Sequence, residues 1–146
     1  ITHEWVRHRL FSYTQESTRF VNYVKKMLPS FVMPKFTPEQ RDSGASETWQ
    51  AAISFLEDAY VQLISSGCAP QIARSVFPNA LASKIIVTGN LRSWRHLFIM
   101  RCSKEAHPQM KEVTLPLLME FQAKIPILFA DIMPEQRQAD TMRLLR

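Results

Sequence analysis

The stretch KIIVTGNLRSWRHLFIMR, residues 84–101, places a strand, a turn and a helix in immediate succession. Its opening KIIVT is rich in β-branched residues and runs into Gly89 and Asn90, so a buried strand bounded by a turn is predicted. From Leu91 to about Cys102 the sequence changes to a helical pattern. Along the rest of the chain, few strands are predicted among many helices, and this indicates an α+β fold.

The N-terminal part of the chain is predicted to hold one helix and little other regular structure. Ile1 to Val6 is already periodic with no cap residue ahead of it, so the chain is expected to begin inside a helix that runs to about Leu10. A polar connection and a short extended stretch around residues 19–24 follow. Three prolines forbid a long helix over residues 29–46, so an irregular excursion is expected there.

The clearest helix follows this excursion. Apolar residues recur three and four positions apart, the pattern of an amphipathic helix, at Trp49, Ile53, Leu56, Tyr60, Leu63 and Ile64. Ser46 is expected to cap the helix, and Gly67 can end it with a left-handed residue.

Two more helices are predicted beyond it. Residues 71–77 form a short helix with a proline at each end. Pro108 opens a last long helix through about Phe121, with a kink at Pro116.

Length and composition predict a single domain, residues 1–146, with a real core, because 46% of the 146 residues are hydrophobic. No run of about 18 apolar residues and no signal-peptide pattern is present, so we expect no membrane partner and a cytoplasmic location. Cys68 and Cys102 lie in unrelated contexts and are interpreted as two reduced thiols.

The charge balance favours anionic partners. The chain has 18 Lys and Arg against 13 Asp and Glu, a net charge of +5, which suits nucleotides, nucleic acid or phosphorylated cofactors. A metal site is not expected, because His3 and His8 are five apart and would be rotated by about 140° on a helix. A G-x-S-x-G turn and a glycine-rich phosphate loop are both missing from the sequence.

The stretch RHRLFSYTQESTRF, residues 7–20, gathers an unusual number of donors. Arg7, His8 and Arg9 would fan through about 200° on a helix, so they can meet two phosphorylated ligands side by side. The neutral residues between the cations suit phosphate oxygens and base edges. An exposed basic helix end followed by a polar loop is the alternative that composition alone favours.

The order of these residues closely resembles the signature of flavin-dependent thymidylate synthases, an Arg-His-Arg followed by Ser, Asn, Ser and Arg-Tyr at fixed intervals. The matching residues are Arg7, His8, Arg9, Ser12, Ser17 and Arg19. Thr14 stands where the family usually has Asn, and Phe20 where it has Tyr. The first exchange shortens a hydrogen-bonding side chain and the second removes a hydroxyl.

Three further segments resemble the same family. They are IARSVFPNAL, TGNLRSWRHLFIMR and EAHPQMKEV, so that the resemblance covers about Ile1 to Val113. His96 stands where the family often has Asn, and the N-terminal portion of the family is missing from this chain. The resemblance implies an α+β fold with a mixed, mainly antiparallel sheet flanked by helices and a helix-rich C-terminal half. It also implies a homotetramer with active sites at subunit interfaces.

The cations of the helix predicted from Leu91 fit such an assembly. Arg92 and His96 are four apart and share a helix face, whereas Arg101, nine after Arg92, points about 180° away. One pocket cannot easily collect both faces, so different sites are expected to use them, as neighbouring subunits would allow.

The chemistry that the resemblance implies is reductive methylation of dUMP to dTMP. Methylenetetrahydrofolate supplies the carbon, FAD relays a hydride, and NADPH reloads the flavin. Family members need no cysteine nucleophile, in agreement with the contexts of Cys68 and Cys102.

The resemblance also implies a role for each matched position. Flavin contacts are expected from Arg7, His8, Arg9, Gln15, Asn90, Leu91, Arg92 and His96. Nucleotide contacts are expected from Glu4, Arg7, Gln15, Glu16, Ser17, Thr18, Arg19, Arg74 and Arg101. Arg101 is the expected catalytic residue, because its fixed charge beside the uracil edge would stabilise negative charge building on the ring.

Structural interpretations compete with some of these roles. Arg92 and Arg95 could form the solvated side of a helix. Trp94, Leu97 and Phe98 are assigned to the core, Tyr13 to packing and His107 to a helix start. For the whole chain, the alternatives are a basic nucleic-acid-binding module, although its basic residues are interleaved with large apolar ones, and a non-catalytic remnant of the family.

Overall fold

The computed structural model describes residues 1–19, 21–24 and 29–134. Its helices are α1 (Thr2–Trp5), α2 (Pro38–Asp42), α3 (Ala45–Ser65), α4 (Pro70–Ala73), α5 (Leu91–Arg101), α6 (Pro108–Lys124) and α7 (Pro126–Phe129), with a 3-10 turn at Arg74–Val76. Strands β1 (Ser12–Gln15) and β2 (Ile85–Thr88) pair as a two-stranded antiparallel sheet. The α+β prediction with a helix-rich C-terminal half is confirmed.

The chain divides into two compact units. The terminal unit comprises residues 1–14 together with the described residues from 85 onward, and the central unit comprises residues 15–84. The single domain expected from length stays a prediction. In the described part of the chain, no helix combines the length and the apolar character needed to cross a bilayer.

The core of the terminal unit is built on one face of α5. Trp94, Leu97 and Phe98 are buried there, as predicted. They pack against Phe129 of α7 and Trp5 of α1 among other apolar residues. Full burial of a side chain such as Leu97 contributes about 1.5–3 kcal/mol relative to exposure. This packing fixes the position of α5, and with it the polar residues on the other faces of the helix.

The turn between β2 and α5 is shaped by packing and by a helix cap. A Cβ on Gly89 would lie 2.3 Å from a ring carbon of Phe11, so a larger residue would require the Phe11 ring to shift. The side chain of Asn90 accepts a hydrogen bond from the backbone N–H of Ser93 at 2.8 Å and caps α5. β2 alternates between partly buried and exposed residues, and Ile86 is 67% exposed. The prediction of a buried strand was wrong, because only one face of the two-stranded sheet is covered.

The C-terminal helices agree with the prediction over most of their length. His107 is the N-cap of α6 and its ring accepts from the N–H of Gln109, so the helix-start prediction is confirmed. Pro116 lies inside α6, where a kink stays a prediction. α6 continues to Lys124, three residues past the predicted end, and the four-residue α7 follows it.

The first predicted helix is much shorter than expected. α1 ends at Trp5, and the hydroxyl of Tyr13 donates to the carbonyls of Trp5 (2.5 Å) and His8 (2.7 Å). These bonds hold the chain in a turn instead of further helix. Tyr13 is partly buried against the core, as predicted.

The short extended stretch was predicted too late in the chain. The strand lies at Ser12–Gln15, because this segment is the one that pairs with β2. Residues 19 and 21–24 form no strand, and Phe20 lies outside the described residues.

The central unit is organised by α3. Its predicted apolar stripe is the face that turns inward, and Tyr60 on that stripe stacks on Phe77 with ring centroids 4.6 Å apart. Gly67 has a φ of +87°, so the predicted left-handed ending is confirmed. Ser46 lies within α3 and the N-cap is Gly44, so the cap prediction was wrong.

α2 interrupts the stretch that was predicted to be irregular. The Thr37 hydroxyl accepts from the N–H of Gln40, and the Gln40 side chain accepts from the N–H of Thr37. Pro38 occupies the first turn of α2, where its missing N–H costs nothing. This capping box, overlooked in the sequence, stabilises a five-residue helix.

Candidate functional site

Arg101, at the end of α5, is held by two side chains from the start of the chain. Its Nε donates to Nε2 of His8 at 2.9 Å, and its Nη1 donates to Oε2 of Glu4 at 2.7 Å. The side chains of Arg101 and Glu4 are 19% and 27% exposed, which strengthens the ion pair relative to a fully exposed one. The structure thus brings Glu4 and His8 together with Arg101, which lies more than ninety residues later in the chain. All three were assigned to the site from the sequence.

The contact with Arg101 defines the state of His8. Because Nε2 accepts a hydrogen bond, the ring is neutral and its proton sits on Nδ1. Burial, the cation of Arg101 and the nearby His96 together lower the pKa of His8 to about 4, with burial the largest cause, while Glu4 opposes them. His8 therefore remains an acceptor for Arg101 at neutral pH.

His8 lies near two residues of α5 that were predicted to point in different directions. The rings of His8 and His96 lie edge to face with centroids 6.2 Å apart, although His96 is exposed. His8 thus contacts both His96 and Arg101, which were expected to serve different sites. A side chain from outside the helix therefore reaches two of its faces, and the use of these faces by different sites stays a prediction.

A groove of about 510 Å³ lies along the other polar side of α5. Its lining residues are Leu91, Arg92, Arg95, His96, Ile99 and Leu128. Three of the four predicted flavin contacts on this helix or its cap are among them. Apolar walls combined with cations suit a flat ring system that carries anionic groups.

Arg95 forms one wall of this groove and is not merely solvated. It donates to Oδ1 of Asp131 at 2.6 Å and to the carbonyl of Leu128. The pairing raises the pKa of Arg95 and holds the pKa of Asp131 below its usual range. The solvent-face interpretation of Arg95 was wrong, and its partners were missed because they lie beyond the segments that resemble the family. Arg92 is exposed, as that interpretation allowed.

Arg7, Arg9 and Asn90 are the remaining predicted flavin residues of the terminal unit. Arg7 and Arg9 are exposed on either side of His8. Asn90 uses its side-chain oxygen to cap α5, so its amide N–H donors are the part left for a ligand.

The central unit holds a second polar cluster around Arg74. Nη1 of Arg74 donates to the hydroxyl of Thr18 at 2.8 Å, although the two are 56 residues apart. Nε of Arg19 donates to the side chain of Gln71 at 3.2 Å, and the backbone N–H of Arg19 donates to the hydroxyl of Ser17. Gln71 was missed as a member of this cluster, but its position three before Arg74 on a short helix was a usable signal.

Gln15 and Glu16 lie at the edge of the same unit. The side-chain amide of Gln15 donates to the hydroxyl of Ser83 at 3.4 Å, and the backbone N–H of Glu16 donates to the carbonyl of Lys84. Burial raises the pKa of Tyr23; the negative Glu16 adds to the shift and the positive Arg74 opposes it. Glu16 and Arg74 therefore act electrostatically on the same ring.

The predicted site residues fall into one group in each unit. The terminal unit holds Glu4, Arg7, His8, Arg9, Asn90, Leu91, Arg92, His96 and Arg101. The central unit holds Gln15, Glu16, Ser17, Thr18, Arg19 and Arg74. Within residues 1–19, 21–24 and 29–134, no cluster of three His, Cys, Asp or Glu could hold a metal. Cys68 and Cys102 are both free, and burial raises the pKa of the Cys102 thiol.

Comparison with known families identifies the family of the chain that carries these clusters. Residues 1–127 match the family model described as thymidylate synthase complementing protein. The chain belongs to the flavin-dependent thymidylate synthase family. The resemblance seen in residues 7–20 is thereby confirmed.

Individual relatives agree with the family match. The chain is 35% identical over 140 residues to a flavin-dependent thymidylate synthase of Corynebacterium aurimucosum. It is 34% identical over 143 residues to one of Mycobacterium tuberculosis, and 34% identical over 140 residues to one of Corynebacterium glutamicum. Each comparison covers 89% of this chain and 56% of the relative. The chain therefore spans about half the length of the curated relatives it matches.

Proposed function

We propose that the full-length protein catalyses the reductive methylation of dUMP to dTMP, with methylenetetrahydrofolate as carbon donor, FAD as cofactor and NADPH as reductant. Family membership supplies the chemistry, since the relatives are named flavin-dependent thymidylate synthases. The observation that carries the proposal is the meeting of Arg101 with His8 and Glu4. Arg101, assigned to catalysis, and His8, assigned to the flavin, thus meet in the same cluster.

The groove along α5 has the chemistry needed to hold FAD. Leu91 and Ile99 offer apolar surface to a flat ring, and Arg92 and His96 offer donors to its polar edge and phosphates. When bound, the flavin supplies hydride transfer that no amino-acid side chain can perform. The residues of this chain bind and orient it.

Two exposed arginines extend the same donor set. Arg7 and Arg9 are the sequence neighbours of His8, the residue that accepts from Arg101, and both are exposed. Paired N–H groups of arginine suit the diphosphate of FAD and the nucleotide beside it. We assign both arginines to these anionic groups.

The central cluster is assigned to the phosphate and sugar of dUMP. Arg74 is oriented by the neutral hydroxyl of Thr18, and the guanidinium of Arg19 donates to the side chain of Gln71. The Ser17 hydroxyl, together with Gln15 and Glu16 in the preceding residues, adds hydrogen-bonding groups for the sugar. Arginine forks are well suited to a terminal phosphate.

Arg101 is assigned to the chemical step. Methylation requires the C5 carbon of uracil to act as a nucleophile, which places negative charge on the ring and its oxygens. A guanidinium that is already fixed in place stabilises that charge without reorganising during the reaction. Glu4 and His8 hold the guanidinium in the described structure.

A homotetramer with shared sites is part of the proposal. On α3, Phe55 is 72% exposed and Val61 is 37% exposed, and Tyr60 is the one residue of this helix that is buried within the described chain. Large exposed apolar side chains on one helix are typical of surfaces that contact another subunit.

The nucleic-acid-binding alternative is disfavoured by the packing of α5. A groove-reading helix must project its basic side chains outward, whereas α5 lies in the core. Two of its three arginines, Arg95 and Arg101, are paired with the carboxylates of Asp131 and Glu4.

The test uses the full-length protein purified with its flavin. Anaerobic NADPH should bleach the flavin absorbance, and dUMP with methylenetetrahydrofolate should restore it with formation of dTMP. Omitting either dUMP or the folate should leave the flavin reduced. A protein that binds no flavin, or whose reduced flavin yields no dTMP, would show the alternative of a non-catalytic family member to be correct.

A further inference from the structure

Glu4 and His8 reach Arg101 from one short and well-fixed segment. Glu4 lies in α1 and His8 in the turn that follows. Trp5, which lies between them, is 3% exposed, and the Tyr13 hydroxyl binds the carbonyls of both Trp5 and His8. The backbone that carries the two partners of Arg101 is therefore anchored to the core.

The two contacts use different nitrogens of the guanidinium. His8 accepts from Nε, and Glu4 accepts from Nη1. A guanidinium held at one nitrogen can still turn about that bond, whereas contacts at two nitrogens fix its plane. Nη2 makes no hydrogen bond within the part of the chain that the structure describes, so its two hydrogens remain for a ligand.

The backbone of Arg101 is held as firmly as its side chain. The hydroxyl of Thr114, a fully buried residue of α6, donates to the carbonyl of Arg101 at 3.0 Å and to that of Met110 at 2.9 Å. Both ends of the arginine are thereby tied to the core of the terminal unit.

We propose that Glu4 is a positioning residue for Arg101 and not a ligand of the nucleotide, and that Glu4 and His8 together present Nη2 to the pyrimidine ring. This inference rests on the proposed function. The resemblance to the family implied a contact of Glu4 with the nucleotide, although some relatives have Gln at this position. In this chain the carboxylate is bound instead to the catalytic arginine.

The state of His8 is consistent with this arrangement. Because its pKa is lowered to about 4, the ring stays neutral and Nε2 can accept from Arg101 at the pH of a cell. A protonated ring would carry a second positive charge and would offer only donors to Arg101.

The experiment removes Glu4 in the full-length, flavin-loaded protein, alone and together with Arg101→Lys. Glu4→Gln keeps an oxygen acceptor without the charge, and Glu4→Ala removes both. Glu120→Gln is the matched control, because it breaks an exposed ion pair of Glu120 with Lys124 that lies 3.3 Å apart. Turnover, the dissociation constant of dUMP and the thermal midpoint are measured for each variant.

Glu4→Ala should lower turnover by about 10²-fold, the loss that misplacing a catalytic group can cause. Glu4→Gln should lower it less, and the dUMP dissociation constant should change by no more than about twofold, because Glu4 acts through Arg101. In the Arg101→Lys background, Glu4→Ala should cost no more than a further twofold or so, since residues that act as a unit are not additive.

The opposite pattern would overturn the inference. Weaker dUMP binding with unchanged turnover in Glu4→Ala would make Glu4 a nucleotide ligand. Losses that multiply in the Arg101→Lys background, or Glu4 variants that match Glu120→Gln, would show that Glu4 does not act through Arg101.

A second measurement is independent of activity. The Nε–H proton of Arg101, assigned by its disappearance in Arg101→Lys, should exchange with water faster in Glu4→Gln than in wild type. Equal exchange rates would contradict the positioning role. If the wild-type protein forms no dTMP, the proposed function is refuted, and this exchange rate still decides whether Glu4 orders Arg101.

Discussion

The terminal and central units hold their arginines with different kinds of partner. Arg101 pairs with the carboxylate of Glu4 and donates to a neutral His8, whereas Arg74 donates to the hydroxyl of Thr18. A carboxylate fixes an arginine while offsetting part of its charge, and a hydroxyl orients it while leaving the charge intact. We therefore expect Arg101 to act through its orientation in the transition state and Arg74 through its charge on the bound phosphate.

The largest expected effect is that of Arg101→Lys on turnover. Lysine keeps the charge but cannot bind His8 and Glu4 in the same planar arrangement. Removing one preorganised donor costs about 10²–10³-fold in turnover, while the dUMP dissociation constant should change by only a few fold. Release of tritium from dUMP labelled at C5 measures turnover, and calorimetric titration measures binding. Turnover at the wild-type level would refute the catalytic role of Arg101.

Arg74→Gln should have the next largest effect, and on binding. A hydrogen bond to a charged group contributes about 1.5–3 kcal/mol, so the dUMP dissociation constant should rise by about 10- to 100-fold. Turnover at saturating dUMP should stay near the wild-type value. Deoxyuridine, which lacks the phosphate, is the matched ligand control, because its affinity should be equal for the two proteins. If deoxyuridine binding weakens as much as dUMP binding, Arg74 does not bind the phosphate.

The helices could be predicted from local patterns, and the errors have specific causes. α3, α5 and α6 follow their apolar periodicity and their proline and glycine boundaries closely. α1 was predicted too long, since its end depends on the Tyr13 hydroxyl binding the carbonyls of Trp5 and His8. A tertiary hydrogen bond of this kind leaves no trace in the spacing of apolar residues.

Two glycines extend the comparison of the units to stability. In the terminal unit, a Cβ added to Gly89 would clash with the ring of Phe11. In the central unit, a Cβ added to Gly67 would meet no atom, but the φ of Gly67 is +87°. Gly89→Ala should cost about 1–3 kcal/mol of unfolding free energy through overpacking. Gly67→Ala should cost about 1–2 kcal/mol through its left-handed backbone.

Asparagine distinguishes the two causes. It tolerates the left-handed conformation, so Gly67→Asn should recover part of the loss, whereas Gly89→Asn should be worse than Gly89→Ala. Urea unfolding followed by circular dichroism measures these free energies. Equal behaviour of the two sites would contradict the assignment of one to packing and the other to backbone conformation.

The site could be predicted as a set of residues but not as a set of contacts. The order Arg-His-Arg in residues 7–9 and the spacing to Arg19 identified the family. The structure describes every candidate site residue within residues 1–19. The partnership of Glu4 with Arg101 could not be predicted, because it joins residues 97 positions apart. Asp131 was missed because it lies beyond the segments that resemble the family, whereas the position of Gln71 beside Arg74 offered a signal that was overlooked.

The smallest expected effect is that of Asp131→Asn. The ion pair with Arg95 is partly exposed, so its loss should cost less than about 1 kcal/mol at neutral pH. Pairing lowers the pKa of Asp131, so the folded state binds its proton less readily than the unfolded state does. The stabilisation is present above the pKa of an unfolded Asp and is lost as the pH falls through the folded pKa.

Thermal midpoints of the wild type and Asp131→Asn should therefore converge in acid and differ slightly at neutral pH. A difference that grows in acid would mean that Asp131 does not act as a paired carboxylate.

Reoxidation of the reduced flavin at saturating dUMP is the most direct test of the contrast between the two arginines. Wild type, Arg101→Lys and Arg74→Gln are reduced anaerobically with NADPH and mixed with methylenetetrahydrofolate and excess dUMP in a stopped-flow instrument. Reoxidation should be slow in Arg101→Lys at every dUMP concentration and should return to the wild-type rate in Arg74→Gln once dUMP saturates. An Arg101→Lys rate restored by more dUMP, or an Arg74→Gln rate that no concentration restores, would contradict the division between orientation in one unit and charge in the other.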